Sequence, residues 1–200
     1  MMQRATMAVA VAAAALAGMA AAYFVTREPA RPALERATLF DAGRPLAEPG
    51  LVDHLGRDFG LDRLRGRWTL LFFGYTFCPD VCPTTTLDMS QALDALGPAA
   101  AQIQPVFITV DPARDTPDEL KKFLANFHPS FVGLTGTEAE IQAVAKAYRV
   151  YFARAKGAER DYLMDHTSIV YLMDRDGKFL THFSMKVRGP EMAEAIKKFL

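Results

Sequence analysis

From Leu39 to the C-terminus, segments that read as strands alternate with segments that read as helices, and this alternation limits the possible folds more than any other property of the chain. Trp68–Phe73 is an unbroken apolar run, as expected of a strand buried on both faces. Pro105–Val110 is a second such run. Between them, Pro83–Leu96 reads as a helix that Gly97 and Pro98 terminate. Thr116, Pro117 and Glu119 form a helix start, with a cap, a proline in the first turn and a capping-box partner; that helix runs to about Phe127. Thr137 and Glu140 open another, to about Tyr148. Ser168–Met173 and Lys178–Phe183 read as strands joined by the turn Asp174-Arg175-Asp176-Gly177. Pro190–Leu200 closes the chain as an amphipathic helix.

Strand–helix alternation predicts a parallel sheet covered by helices, and the closing hairpin adds antiparallel edge strands. The expected class is α/β, in a thioredoxin-like arrangement with a central mixed sheet flanked by helices. The chain has 200 residues, enough for one domain plus an extension, and half of them are hydrophobic, enough for a sizeable core. Lys plus Arg equals Asp plus Glu at 23 each, so there is no basic excess of the kind that marks a nucleic-acid partner.

The extension is N-terminal. Ala5–Val25 is an uncharged run of 21 residues, eleven of them Ala, preceded by Arg4 and followed by Arg27. Its length suits a single membrane-spanning helix with the short N-terminus in the cytoplasm. The competing reading is a signal peptide cut near Ala20-Ala21-Ala22. Position 19 is Met, so a lipoprotein cleavage site is not expected. Either way the bulk of the chain is exported, into a compartment where disulfides form readily. Thr26–Thr38, with Pro29, Pro32 and three arginines, reads as a tether. The expected organisation is therefore residues 1–26 as anchor or signal segment, 27–38 as linker and 39–200 as the folded domain.

The chain has two cysteines, Cys78 and Cys82, spaced C-x3-C at the end of the first buried strand. Open α/β sheets place their sites at that end. Two cysteines exclude a disulfide scaffold and a tetrathiolate zinc site. A cysteine at a helix N-terminus meets unpaired amides and the positive end of the dipole, which favour thiolate. Pro79 and Pro83 follow the two cysteines and stiffen the turn. Four residues of helical rise separate Cα atoms by about 6 Å, inside the disulfide range of about 4.4–6.8 Å. The pair can therefore close as a redox-active disulfide or stay open and chelate copper or zinc. A structural disulfide is the plain alternative, but so short a loop adds little stability.

A third donor is available in His166, directly before the strand at Ser168. The corresponding loop of thioredoxin-like proteins faces the cysteine turn. Two thiolates and an imidazole form a soft set with an accessible fourth position. His54, His128 and His182 have no comparable partners. Asp111, Arg114 and Asp115 form either a patch that docks a partner or supports the ligands from behind, or the turn and capping residues before the helix at Thr116. Asp80 is a loop carboxylate between the cysteines. Met89, Met164 and Met173 fall at core spacing.

Cys78-Pro-Asp-Val-Cys82-Pro83, the preceding Phe73-Gly74-Tyr75-Thr76, Val110-Asp-Pro-Ala-Arg-Asp-Thr-Pro117 and Asp165-His166-Thr167 together resemble the Sco/SenC family of membrane-tethered, copper-binding thioredoxin-fold proteins. The resemblance runs from about Leu39 to the C-terminus. It implies that Cys78, Cys82 and His166 bind one copper, as Cu(I) or Cu(II). It also implies an assembly factor for the dinuclear copper site of cytochrome c oxidase, acting as metallochaperone, as thiol reductant, or as both. The implied partners are the copper-site subunit of that oxidase and a thiol reductant or other copper carrier. The implied location is the cytoplasmic membrane, with a single-pass anchor and the domain on the periplasmic side. The alternative is a thiol–disulfide oxidoreductase for exported proteins, using Cys78 and Cys82 as its catalytic pair.

Overall fold

The computed structural model describes residues 50–155 and 162–200. The expected membrane segment and linker lie outside the described residues. Among the described residues, no helix is long and apolar enough to cross a membrane.

The core is a seven-stranded sheet. In chain order its strands are β1 (Leu51–Asp53), β2 (Asp58–Phe59), β3 (Trp68–Gly74), β4 (Ile103–Thr109), β5 (Val132–Thr135), β8 (Ile169–Met173) and β9 (Phe179–Ser184). They lie side by side in the order β2-β1-β5-β4-β3-β8-β9. β3 runs parallel to β4, with Leu71 opposite Val106, and β4 runs parallel to β5. β8 and β9 join antiparallel on one side, and β1 and β2 antiparallel on the other. The helices are α1 (Val81–Leu96), α2 (Pro117–Leu124), α3 (Glu138–Ala147) and α4 (Gly189–Ile196). This is the mixed α/β, thioredoxin-like arrangement expected from the alternation.

Local chemistry explains the boundaries. β3 and β4 carry Leu70–Phe73 and Val106–Ile108 with no exposed surface, because neighbouring strands and covering helices enclose them. The Thr137–Glu140 capping box forms in full. The box expected at Thr116 forms by half: its hydroxyl accepts from the Glu119 amide, but the Glu119 carboxylate pairs with Lys122 Nζ at 2.7 Å. α1 begins at Val81, two residues before the expected start, because Pro83 sits in a first turn where a missing N–H costs nothing. The helices expected to reach Phe127, Tyr148 and Leu200 end at Leu124, Ala147 and Ile196.

Two hairpins had no clear sequence signal. β1 and β2 are three and two residues long, too short to show a period. β6 (Phe152–Arg154) pairs antiparallel with β7 (Met164–His166) as a separate two-stranded sheet. His166, expected in a loop, therefore ends a strand.

Candidate metal and thiol site

The site is built where β3 ends and α1 begins. Gly74 closes β3, and its carbonyl accepts from the Val110 amide at 2.8 Å, which ties the turn to the end of β4. The chain then turns through Tyr75–Asp80 into α1. Cys82, the second residue of that helix, is fully buried, whereas Cys78 in the turn is partly exposed; both are free thiols.

The first turn of α1 is aimed at Cys78. Asp80 occupies the cap position without a capping side chain, and no acidic residue follows in the first turn. The Cys82 amide instead donates to Cys78 Sγ at 3.4 Å, so the sulfur takes the place of a capping oxygen at the positive end of the helix. Asp80 itself is exposed.

The two thiols differ in acidity. Hydrogen bonding from the Cys82 side chain, followed by contact with His166, holds Cys78 far below the usual thiol range. The Cys82 thiol is pushed up, first by its hydrogen bond to Cys78 and then by burial. The pair is therefore unequal, with Cys78 the more acidic thiol and Cys82 the one that holds its proton more tightly. We predict that iodoacetamide alkylates Cys78 at a nearly constant rate from about pH 8 to about pH 6, because the thiolate fraction does not change there. An ordinary thiol, with a pKa of about 8.5, would slow about tenfold per unit over the same range. That fall in rate would contradict the geometry.

His166 completes the group. Its Nε2 lies 3.5 Å from Cys82 Sγ, and its Nδ1 lies 3.1 Å from the Thr167 carbonyl. A carbonyl only accepts, so Nδ1 donates to it and Nε2 is the ring nitrogen turned toward the sulfur. A backbone contact of this kind usually stands behind a ligating imidazole and fixes the orientation of its ring. The 3.5 Å spacing also suits a shared ion: donors at about 2.3 Å (sulfur) and about 2.0 Å (nitrogen) in near-tetrahedral geometry stand about 3.5 Å apart. Among the described residues, no group of three or more His, Cys, Asp or Glu side chains is placed to hold a metal ion without rearrangement.

Tyr75 touches all three side chains or their backbone. Its amide donates to Cys82 Sγ at 3.5 Å, its carbonyl accepts from the Cys78 amide at 3.4 Å, and its ring meets His166 edge-on at 5.8 Å. Asp115 has no exposed surface and holds the turn from behind. It accepts from the Thr76 amide at 3.0 Å, the Thr76 hydroxyl at 2.6 Å and the Thr109 hydroxyl at 2.6 Å. Asp111 pairs with Arg114 and accepts from the Tyr162 hydroxyl. Of the roles the sequence left open for these residues, the structure shows support from behind; their partners, Thr76 and Tyr162, could not be named because they are distant in sequence.

The remaining sequence candidates are structural. Met89 and Met173 are fully buried, and Met164 packs on the core. His54 accepts from the Gly133 amide, His128 bonds Ser130, and His182 stacks on Phe179.

Fold and site together define a thioredoxin-like protein with a paired thiol and an adjacent imidazole. Residues 47–200 match the SCO1/SenC family model, and the chain belongs to that family. It is 38% identical over 187 residues to a SCO2-like protein of Rickettsia conorii, covering 91% of each chain. It also resembles the solved structure of Bradyrhizobium japonicum ScoI with copper bound, with 45% identity, a TM-score of 0.71, and coverage of 76% of this chain and 98% of that one. BsSco, described as a member of the Sco family of cytochrome c oxidase assembly proteins with a disulfide switch, aligns at 28% identity and a TM-score of 0.59, over 76% of this chain and 89% of that one.

Proposed function

We propose that this protein is a copper-binding assembly factor for the dinuclear copper site of cytochrome c oxidase, with Cys78, Cys82 and His166 as ligands to one copper. The observation that carries this reading is His166 Nε2 at 3.5 Å from Cys82 Sγ, with Cys78 Sγ at the same helix start, 3.4 Å from the Cys82 amide. Two sulfurs and one imidazole are a donor set for copper in either oxidation state. Small side-chain rotations draw the three donors onto one ion. A partly exposed Cys78 allows an acceptor's own ligands to enter and displace the protein's, one at a time. In this reading residues 5–25 hold the domain at the cytoplasmic membrane, on its periplasmic side.

The unequal thiols also support a second use of the same pair, reduction of a target disulfide. The Cys78 thiolate attacks one target sulfur and the other leaves as thiolate. Cys82, after losing its proton, attacks Cys78 in the mixed disulfide. The target is released as a dithiol and this chain keeps the disulfide, so two electrons pass between them.

The test is anaerobic titration of the reduced, metal-free domain from about Glu35 onward with copper, followed by absorbance. One equivalent should bind, with thiolate-to-copper(II) charge-transfer bands that disappear in Cys78→Ala, Cys82→Ala and His166→Ala. Unchanged affinity and bands in His166→Ala would refute the three-ligand site. Oxidation of the cysteines without retained copper would leave only the reductant.

A further inference from the structure

His166 rides on an element that the main sheet does not hold. Within the described residues, β6 and β7 pair only with each other. Side chains therefore hold this hairpin against the rest of the domain, and one group of them, which reaches the cysteine turn, centres on Tyr162, buried two residues before β7.

The Tyr162 hydroxyl donates to Asp111 Oδ1 at 2.7 Å. The Arg114 guanidinium lies 3.6 Å from the centre of its ring, and the Arg154 guanidinium lies 3.4 Å from the same centre. Two guanidinium groups that close to one centre would overlap on a single face, so they take opposite faces. Arg114 comes from the loop after β4 and Arg154 from β6, and the ring between them joins the two segments. Arg114 also donates to Asp111 and lies 4.7 Å from the Phe77 ring and 5.8 Å from the Tyr75 ring, both in the cysteine turn. The next residue, Asp115, holds Thr76 of that turn. One short loop, Asp111–Asp115, thus grips the sulfur-bearing turn on one side and the imidazole-bearing hairpin on the other, while supplying no donor of its own.

We infer that Tyr162, stacked between Arg114 and Arg154 and bonded to Asp111, is a positioning residue that locks the β6–β7 hairpin to this loop and so sets the separation between His166 and the two sulfurs. The inference rests on His166 being a copper ligand, and the experiment tests the two separately. Stacking against a guanidinium and a hydrogen bond to a carboxylate each contribute on the order of 1 kcal/mol or more. Their loss is large enough to free a hairpin that has no ladder to the main sheet.

The experiment compares the wild type with Tyr162→Leu and Tyr162→Phe. The first readout is amide hydrogen exchange of the reduced, metal-free protein. The second is the copper(II) charge-transfer spectrum, with the rate at which a chelator removes the metal. Tyr162→Leu is expected to speed exchange in β6 and β7 about tenfold while β3 and β4 stay protected, to shift the charge-transfer band, and to release copper about tenfold faster. Tyr162→Phe keeps the ring and loses the hydroxyl, so it should fall between the two; it also serves if the leucine variant does not fold. Unchanged hairpin exchange in a folded variant would overturn the clasp. Faster exchange with an unaltered copper spectrum and release rate would overturn its role in setting ligand separation. Failure of the ligand assignment itself would show in His166→Ala, through copper bands that persist, whatever the exchange data give.

Discussion

Replacing Asp115 with alanine is expected to cost about 3–5 kcal/mol of folding stability and to loosen the cysteine turn. The carboxylate accepts three hydrogen bonds in a site with no exposed surface. A buried donor left without an acceptor costs about 1–3 kcal/mol, and hydroxyls that can turn elsewhere recover part of that. The expected loss is a large share of the roughly 5–15 kcal/mol that stabilises a domain. Urea unfolding measures it, and a loss below about 1 kcal/mol would show that the strut carries little. Asp115→Asn keeps an acceptor oxygen and should be much milder. Burial, against three opposing hydrogen bonds, raises the pKa of this carboxyl above 3.8. The folded state therefore binds its proton more tightly than the unfolded chain does. This residue's contribution to stability is fullest below the unfolded value and declines as pH rises through the folded value. The stability difference between wild type and Asp115→Asn should accordingly narrow as pH is raised through that window.

The second large effect is expected at Gly189, the first residue of α4, which lies directly on α1. A Cβ there would stand 2.5 Å from Gln91 Cβ, 2.7 Å from the Asp88 carbonyl oxygen and 3.1 Å from the Ala92 amide nitrogen. Two of these three atoms are helix backbone and cannot rotate away. The Gly189 amide also donates to Asp88 Oδ1 at 3.2 Å, and Arg188 pairs with Oδ2 of the same carboxylate, so Asp88 caps α4 from a neighbouring helix. Gly189→Ala is expected to cost about 3 kcal/mol, the upper end of the usual overpacking range. The urea midpoint should fall with little change in slope, because the same surface is exposed on unfolding. The clash lies near the middle of α1, away from Cys82 at its N-terminus. The fraction that folds should keep the alkylation profile of Cys78.

The family alignment and this geometry bear on different questions. The SCO1/SenC match establishes kinship over residues 47–200. The geometry adds a division of labour between the thiols: a partly exposed, more acidic Cys78 and a buried Cys82 that holds its proton more tightly. In the proposed function, copper exchange and disulfide exchange both call for one accessible sulfur and one held in reserve.

Much of this was written locally in the chain. The apolar runs at Trp68–Phe73 and Pro105–Val110, the caps at Thr116 and Thr137 and the turn at Asp174–Gly177 determine strands, helices and their alternation, because each depends on neighbours within a few residues. The C-x3-C spacing at a strand end likewise placed both thiols near a helix start. What the tertiary structure alone decided is which distant groups meet. It turned Nε2 of His166 toward a sulfur 84 positions away, put Asp115 behind Thr76 across 39, and set Tyr162 on Asp111 across 51. It also moved His166 from an expected loop to the end of a hairpin detached from the main sheet. The physical reason is that acidity, tautomer and ligand spacing arise from through-space contacts among groups brought together only when the sheet closes and its helices pack. Sequence periodicity carries no record of those contacts.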